Sequence, residues 1–103
     1  MDQKYQRFPA VQRSINNINV ETDIRVRIIG RIADKLPDGI VLQDLEGAQA
    51  EVRFDRPIYH DAGAFVRIFA RVLPLENGFE LSGELIQPVN NLDMELHRKV
   101  FSY

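Results

Sequence analysis

Apolar and polar positions alternate with a period of two over five stretches of this chain, the signature of half-buried strands. In the first, residues 24–33, Ile24, Val26, Ile28 and Ile32 alternate with Arg25, Arg27, Ile29 and Arg31. Gly30 sits inside this run, and a glycine within a long strand marks a bulge or a sharp bend. One bent strand can then serve both halves of a small closed barrel. Lys35-Leu36-Pro37-Asp38-Gly39 reads as a turn. A second strand covers 40–44, Leu45-Glu46-Gly47 turns the chain, and a third covers 49–54, with Ala50, Val52 and Phe54 against Glu51 and Arg53. After the longest internal connection, 55–63, a fourth strand covers 65–73. Its inner face is Val66, Ile68, Ala70 and Val72, and its outer face Phe65, Arg67, Phe69 and Arg71. The compact loop 74–78 leads to a fifth strand, 79–87, with Gly83 as its expected bend and Pro88 as its end.

The periodicity changes at both ends of the chain. Residues 1–23 are polar with scattered apolar positions at Phe8, Val11, Ile15 and Ile18, and predict an extended or short-helical arm lying over the domain. Residues 90–103 predict a short helix. Asn90 or Asn91 can cap it, Asp93 and Glu95 come first, and His97, Arg98 and Lys99 come last, which suits the helix dipole. Leu92, Leu96, Val100 and Tyr103 form one apolar stripe, and Met94 with Phe101 a second flank. A helix this short is marginal alone, so it needs something to dock on. The expected organisation is an arm at 1–23, a barrel at 24–89 and an interaction helix at 90–103. The fold class predicted is all-β: a five-stranded OB-fold barrel with a C-terminal α-helix. Another small barrel, such as an SH3-like one, has a similar strand count. The long first strand and the terminal helix favour the OB-fold.

Composition narrows the function classes. One hundred and three residues make one domain, and 45% apolar with 27% charged is ordinary globular usage. No apolar run reaches the roughly 20 residues needed to span a bilayer. The N-terminus MDQKYQRF has no apolar core, so no secretory signal is expected. Without cysteine there are no disulfides or thiolate zinc sites. The net charge of −2 is unlike that of a free-standing, tight nucleic-acid binder, so any such role should be local or shared with partners.

Catalytic chemistry finds little support. Ser14, Ser82, Ser102 and Thr22 lie in no nucleophile elbow, and His60 and His97 fall in a loop and on the predicted helix. Residues 78–84 have the glycine spacing of a phosphate loop but end in Glu84, which would repel phosphate. His60, Asp61 and Asp55 are a weak metal set without a second histidine. Glu80 and Glu84 share a strand face without a counterpart carboxylate. The expectation is a non-enzyme with no cofactor and no metal. The constellation with chemistry is basic and aromatic: Arg25, Arg27 and Arg31 on the first strand, Phe65, Arg67, Phe69 and Arg71 on the fourth, which are neighbours in an OB barrel. Arginine can bind phosphate and aromatics can stack bases. The same alternation is also what any half-exposed strand shows, and what protein interfaces use. The face that usually holds a strand in OB-folds centres on the second and third strands. Here it carries Gln43, Asp44, Glu46, Gln49, Glu51 and Arg53, with Asp34, Asp38 and Glu76 in its flanking loops.

Two segments carry a family resemblance. Asp23 to Ile32 (DIRVRIIGRI) is similar to the first strand of the small OB subunit of replication protein A, the eukaryotic single-strand-binding heterotrimer. Leu92 to Tyr103 (LDMELHRKVFSY) is similar to its C-terminal helix, with His97 where that family often has Tyr. The segment before the first strand departs from the family, with FPAV at 8–11 only a loose echo. The resemblance covers residues 8–103 and extends equally to the small OB subunit of the telomere-capping trimer and to telomerase accessory subunits. It implies a nuclear, non-catalytic subunit that pairs with a larger OB subunit through its terminal helix. Leu92, Met94, Leu96, Val100 and Phe101 would be the partner-binding residues. Most contact with single-stranded DNA would come from the larger partners.

Overall fold

The computed structural model describes residues 9–90. Six strands form one sheet: β1 (Val11–Gln12), β2 (Arg25–Leu36), β3 (Gly39–Asp44), β4 (Gln49–Arg53), β5 (Phe65–Leu75) and β6 (Gly78–Pro88). Hydrogen bonding runs β1-β2-β3-β4-β6-β5, and β5 returns to β2, so β2 to β6 close into a five-stranded barrel. The closure abolishes the open edges of a flat sheet. Inward residues fill it: Val26, Ile28, Ile32, Ile40, Leu42, Val52, Val66, Ile68 and Leu81 are each fully buried.

Strand β2 makes the closure possible. It is antiparallel to β5 over Arg25–Arg31 and to β3 over Gly30–Leu36, so it changes partners at Gly30. A Cβ at Gly30 would strike the backbone carbonyl oxygen of Gln43, which explains why the crossover holds a glycine. The irregularity in the β2–β3 register falls just beyond, between Ile32 and Asp34. Gly83 has a different use: a Cβ there would enter the ring of Phe54, which is buried against the core. The β5–β6 register shifts beside it, between Phe69 and Ala70.

Three expectations need correction. Lys35 and Leu36 belong to β2 and not to a turn, because the reversal is confined to Pro37 and Asp38. Likewise β5 runs on to Leu75, and the next reversal tightens around Glu76–Asn77, with Gly78 at φ +144. Ile24 is not a core residue. It precedes β2 and is 38% exposed, while its carbonyl accepts from the Val72 amide. Residues 91–103 lie outside the described residues, and with them nearly all of the predicted terminal helix.

The arm is attached at two points. β1 runs parallel to β2, pairing Val11 with Val26 and Gln12 with Arg27. A 3-10 turn, Ile15–Asn17, then puts the Ile15 side chain into the core cluster. Asp44, at the end of β3, accepts from the Ile15 amide at 2.7 Å and from the Glu46 and Ala48 amides at 3.0 Å each.

Candidate nucleic-acid interface

The barrel brings two faces of opposite character into view. The first is the groove along β4, between β3 and the β5–β6 turn, where OB-folds usually hold their ligand. It is a hollow of about 460 Å³ lined by Ala50, Glu51, Arg53, Leu75, Phe79 and Glu80, among others. Its cation is engaged. Arg53 donates to Asp38 from one guanidinium nitrogen and to Glu51 from another. The hydrogen bond to Asp38, with the charges of Asp38, Glu51 and Glu80 behind it, holds the Arg53 pKa above its ordinary value. A phosphate entering this groove meets carboxylates and an arginine whose charge they already balance. Asp44, counted by sequence among the polar residues of this region, is only 6% exposed and works as a structural acceptor.

The second face is the outer surface of β2, β5 and β6. Backbone register sets four rows across it: Arg25, Arg71 and Ser82; Arg27, Phe69 and Leu85; Ile29, Arg67 and Gln87; and Arg31 with Phe65. The sequence-predicted basic and aromatic residues therefore converge on one surface. Phe65 is 38% and Leu85 45% exposed. Arg31 and Arg71 are exposed, while Arg25, Arg27, Arg67 and Phe69 are half-buried. Ile29 departs from its exposed register: it is only 4% exposed.

The partners of these arginines are unequal. Arg25 pairs with Glu84 at 2.7 Å, beneath which lies the shifted β5–β6 register. Arg27 donates to the Gln12 side-chain oxygen at 3.0 Å, and Arg31 to that of Gln43 at 2.7 Å; both acceptors are neutral amides. Arg67 and Arg71 make no hydrogen bond or ion pair with a described residue. Arg25 and Arg71 stand directly opposite each other, a like-charge pairing that sheets disfavour.

Elsewhere the chemistry is structural. Asp23 is buried and binds Arg13 at 3.0 and 3.2 Å and the Asn19 amide at 2.9 Å. The Arg13 hydrogen bonds hold its carboxyl below its ordinary pKa of 3.8, against the opposing effect of burial. His60 is half-buried beside Phe54, Pro57 and Ile86, and no three His, Asp or Glu side chains gather as a metal site among the described residues. Sequence reasoning did not assign the buried acceptor roles of Asp23 and Asp44. A readable signal existed for Asp44, since an aspartate opening a turn commonly accepts from amides two and more residues on.

A closed barrel of strand order β2-β3-β4-β6-β5-β2, with β2 shared between its halves, defines the OB-fold. Solved structures with the same fold include replication protein A from U. maydis bound to ssDNA. That likeness covers 94% of this chain and 90% of the other, with a TM-score of 0.70 and 14% identity. A replication protein A heterotrimer bound to ssDNA is similar over 81% of this chain and 72% of the other, with a TM-score of 0.59 and 14% identity. No family model matches the sequence, and no curated protein does.

Proposed function

We propose that this chain is a non-catalytic subunit of a single-stranded-DNA-binding assembly, built like the small OB subunit of replication protein A or its telomere-capping counterpart. It works in the nucleus and pairs with a larger OB-fold subunit through residues 90–103. The observation that carries this reading is the near end-to-end likeness to replication protein A, whose solved structures hold ssDNA. The self-neutralised groove supports a supporting role over that of a principal DNA binder. An arginine already paired with two carboxylates offers a phosphate little net positive charge.

The partner-binding residues in this reading are Leu92, Met94, Leu96, Val100 and Phe101, whose apolar flanks need cover. Co-expression with the larger subunit tests it. Deleting residues 90–103 should abolish co-purification while leaving a folded barrel. Leu96→Glu and Phe101→Glu should separate the two flanks: one lowers the melting temperature of the lone chain, the other leaves the fold intact and loses the partner. A deletion variant that co-purifies at wild-type stoichiometry overturns the reading.

A further inference from the structure

We infer that the outer face of β2 and β5 is a contact strip for single-stranded nucleic acid, separate from the groove where OB-folds usually bind. The inference deepens the reading of an ssDNA-handling assembly and rests on it. Four arginines on this strip, Arg27, Arg31, Arg67 and Arg71, have no carboxylate among their hydrogen-bond or ion-pair partners in the described residues. Arg31, Arg27 and Arg67 stand in rows with Phe65, Phe69 and Ile29, so three of the four cations have a flat or apolar neighbour.

The pattern fits a single strand better than a duplex or an acidic protein. From Arg25 to Arg31 the strip is about 20 Å long at roughly 3.3 Å per residue, a length for three to four nucleotides. Arginines can follow the backbone while an exposed ring takes a base, and every unpaired base has a stacking face. In a duplex those faces are hidden, and Phe65 would have nothing to stack on. Arg67 and Arg71 add no hydrogen bond or ion pair to the fold among the described residues. Arg71 also faces Arg25 across the ladder.

The net charge of the whole chain conceals the strip's sign. A net charge of −2 averages a basic sheet face with the acidic groove around Asp38, Glu51 and Glu80. A strand approaching the groove is repelled, and one approaching β2 and β5 is attracted, so the sign of each face steers it.

Fluorescence anisotropy with the full chain and a fluorescein-labelled mixed-sequence oligonucleotide of about 16 nucleotides tests this. Wild type should bind in the range of about 10⁻⁴ to 10⁻⁶ M at physiological salt. If four arginines each neutralise one phosphate, its salt slope is about −2.8. Arg67→Ala with Arg71→Ala should weaken binding at least about tenfold at 50 mM salt and reduce the slope to about −1.4. Phe65→Ala should weaken it about fivefold or more with the slope unchanged. Arg53→Ala in the groove should change neither, and the matched duplex should bind more weakly than the single strand. Arg31→Ala, at an exposed position, gives an independent check should the double variant lose its fold by circular dichroism. The inference is overturned if the chain binds no oligonucleotide at 50 mM salt. It is also overturned if Arg53→Ala weakens binding while the strip variants match wild type, or if an acidic peptide displaces the labelled oligonucleotide more effectively than unlabelled single strand does. Co-purification with the larger subunit, which the strip variants should retain, reports separately on the assembly reading.

Discussion

Asp44 is the residue whose loss should tell most about how the arm is held to the barrel. Its two oxygens divide the work. Oδ1 accepts from the Glu46 and Ala48 amides, which shape the β3–β4 turn, and Oδ2 accepts from the Ile15 amide, which seats the 3-10 turn. Asp44→Ala removes both. A hydrogen bond to a charged group contributes about 1.5–3 kcal/mol. The Ile15 contact is buried, so it counts near the upper part of that range; the two turn amides are partly open to water and count less. The sum is about 3–5 kcal/mol. At about 4–8 °C per kcal/mol for a domain of this size, the melting temperature should fall by at least about 12 °C. Asp44→Asn separates the two functions. With its oxygen kept toward Glu46 and Ala48, its amide nitrogen faces the Ile15 N–H, donor against donor. Its cost should be about half that of alanine and fall on the arm. Thermal melts followed by circular dichroism give the stabilities. Hydrogen exchange should show the Ile15 amide losing protection in the asparagine variant while Glu46 and Ala48 keep theirs. A loss below about 1 kcal/mol for Asp44→Ala, or equal deprotection of all three amides in Asp44→Asn, would refute the reasoning.

Three further outcomes follow from the same geometry. Gly30→Ala should cost about 1–3 kcal/mol or more, because its Cβ meets the Gln43 carbonyl and only backbone movement relieves the clash; urea denaturation measures it, and a neutral result would remove the steric reason for the partner switch. Asp23 has a native pKa below its ordinary 3.8, so its stabilising contribution is complete above that value and is lost as pH falls through the lower native one. Melting temperature against pH should therefore fall less steeply below about 3.8 in Asp23→Asn than in wild type, with the variant the less stable of the two at pH 7. Asp38→Ala with Glu51→Ala should release Arg53 and strengthen oligonucleotide binding severalfold in the anisotropy titration, while unchanged affinity would mean that carboxylates do not control the groove.

Strand positions were legible because burial in a barrel imposes a strict period of two. Val66, Ile68, Ala70 and Val72 could hardly face any way but inward. The hairpin ends were less legible. Lys35 and Leu36 look like turn residues, but a two-residue reversal at Pro37–Asp38 leaves them in the ladder. Ile24 has the right phase for the core yet lies before the pairing begins, and phase alone does not show where a ladder starts. The basic and aromatic residues were named from alternation, but their row-by-row juxtaposition depends on register, which the shift at Phe69/Ala70 adjusts on the β6 side. Asp44 was least legible. An aspartate near a polar turn resembles any solvated acid until the arm folds over it.

Arginine partners give the clearest division between residues that serve the fold and residues left for a ligand. The chain has fifteen acidic residues for thirteen lysines and arginines, so carboxylates are not scarce. Arg13 has Asp23, Arg25 has Glu84, Arg53 has Asp38 and Glu51, and Arg56 has Asp55. Random placement of these acids would leave unpaired arginines scattered over the barrel. Instead the arginines of β2 and β5 without a carboxylate partner share one sheet face, while Asp38, Glu51 and Glu80 surround the groove arginine. A salt bridge on an exposed strand contributes little to stability, so its absence there costs the fold little. It also leaves four cations without a described carboxylate partner, so their charge stays available to an anion from outside. In the proposed assembly, a barrel whose customary groove is lined by carboxylates and whose β2–β5 face keeps arginines without carboxylate partners would meet a single strand on that face and leave the groove to other contacts.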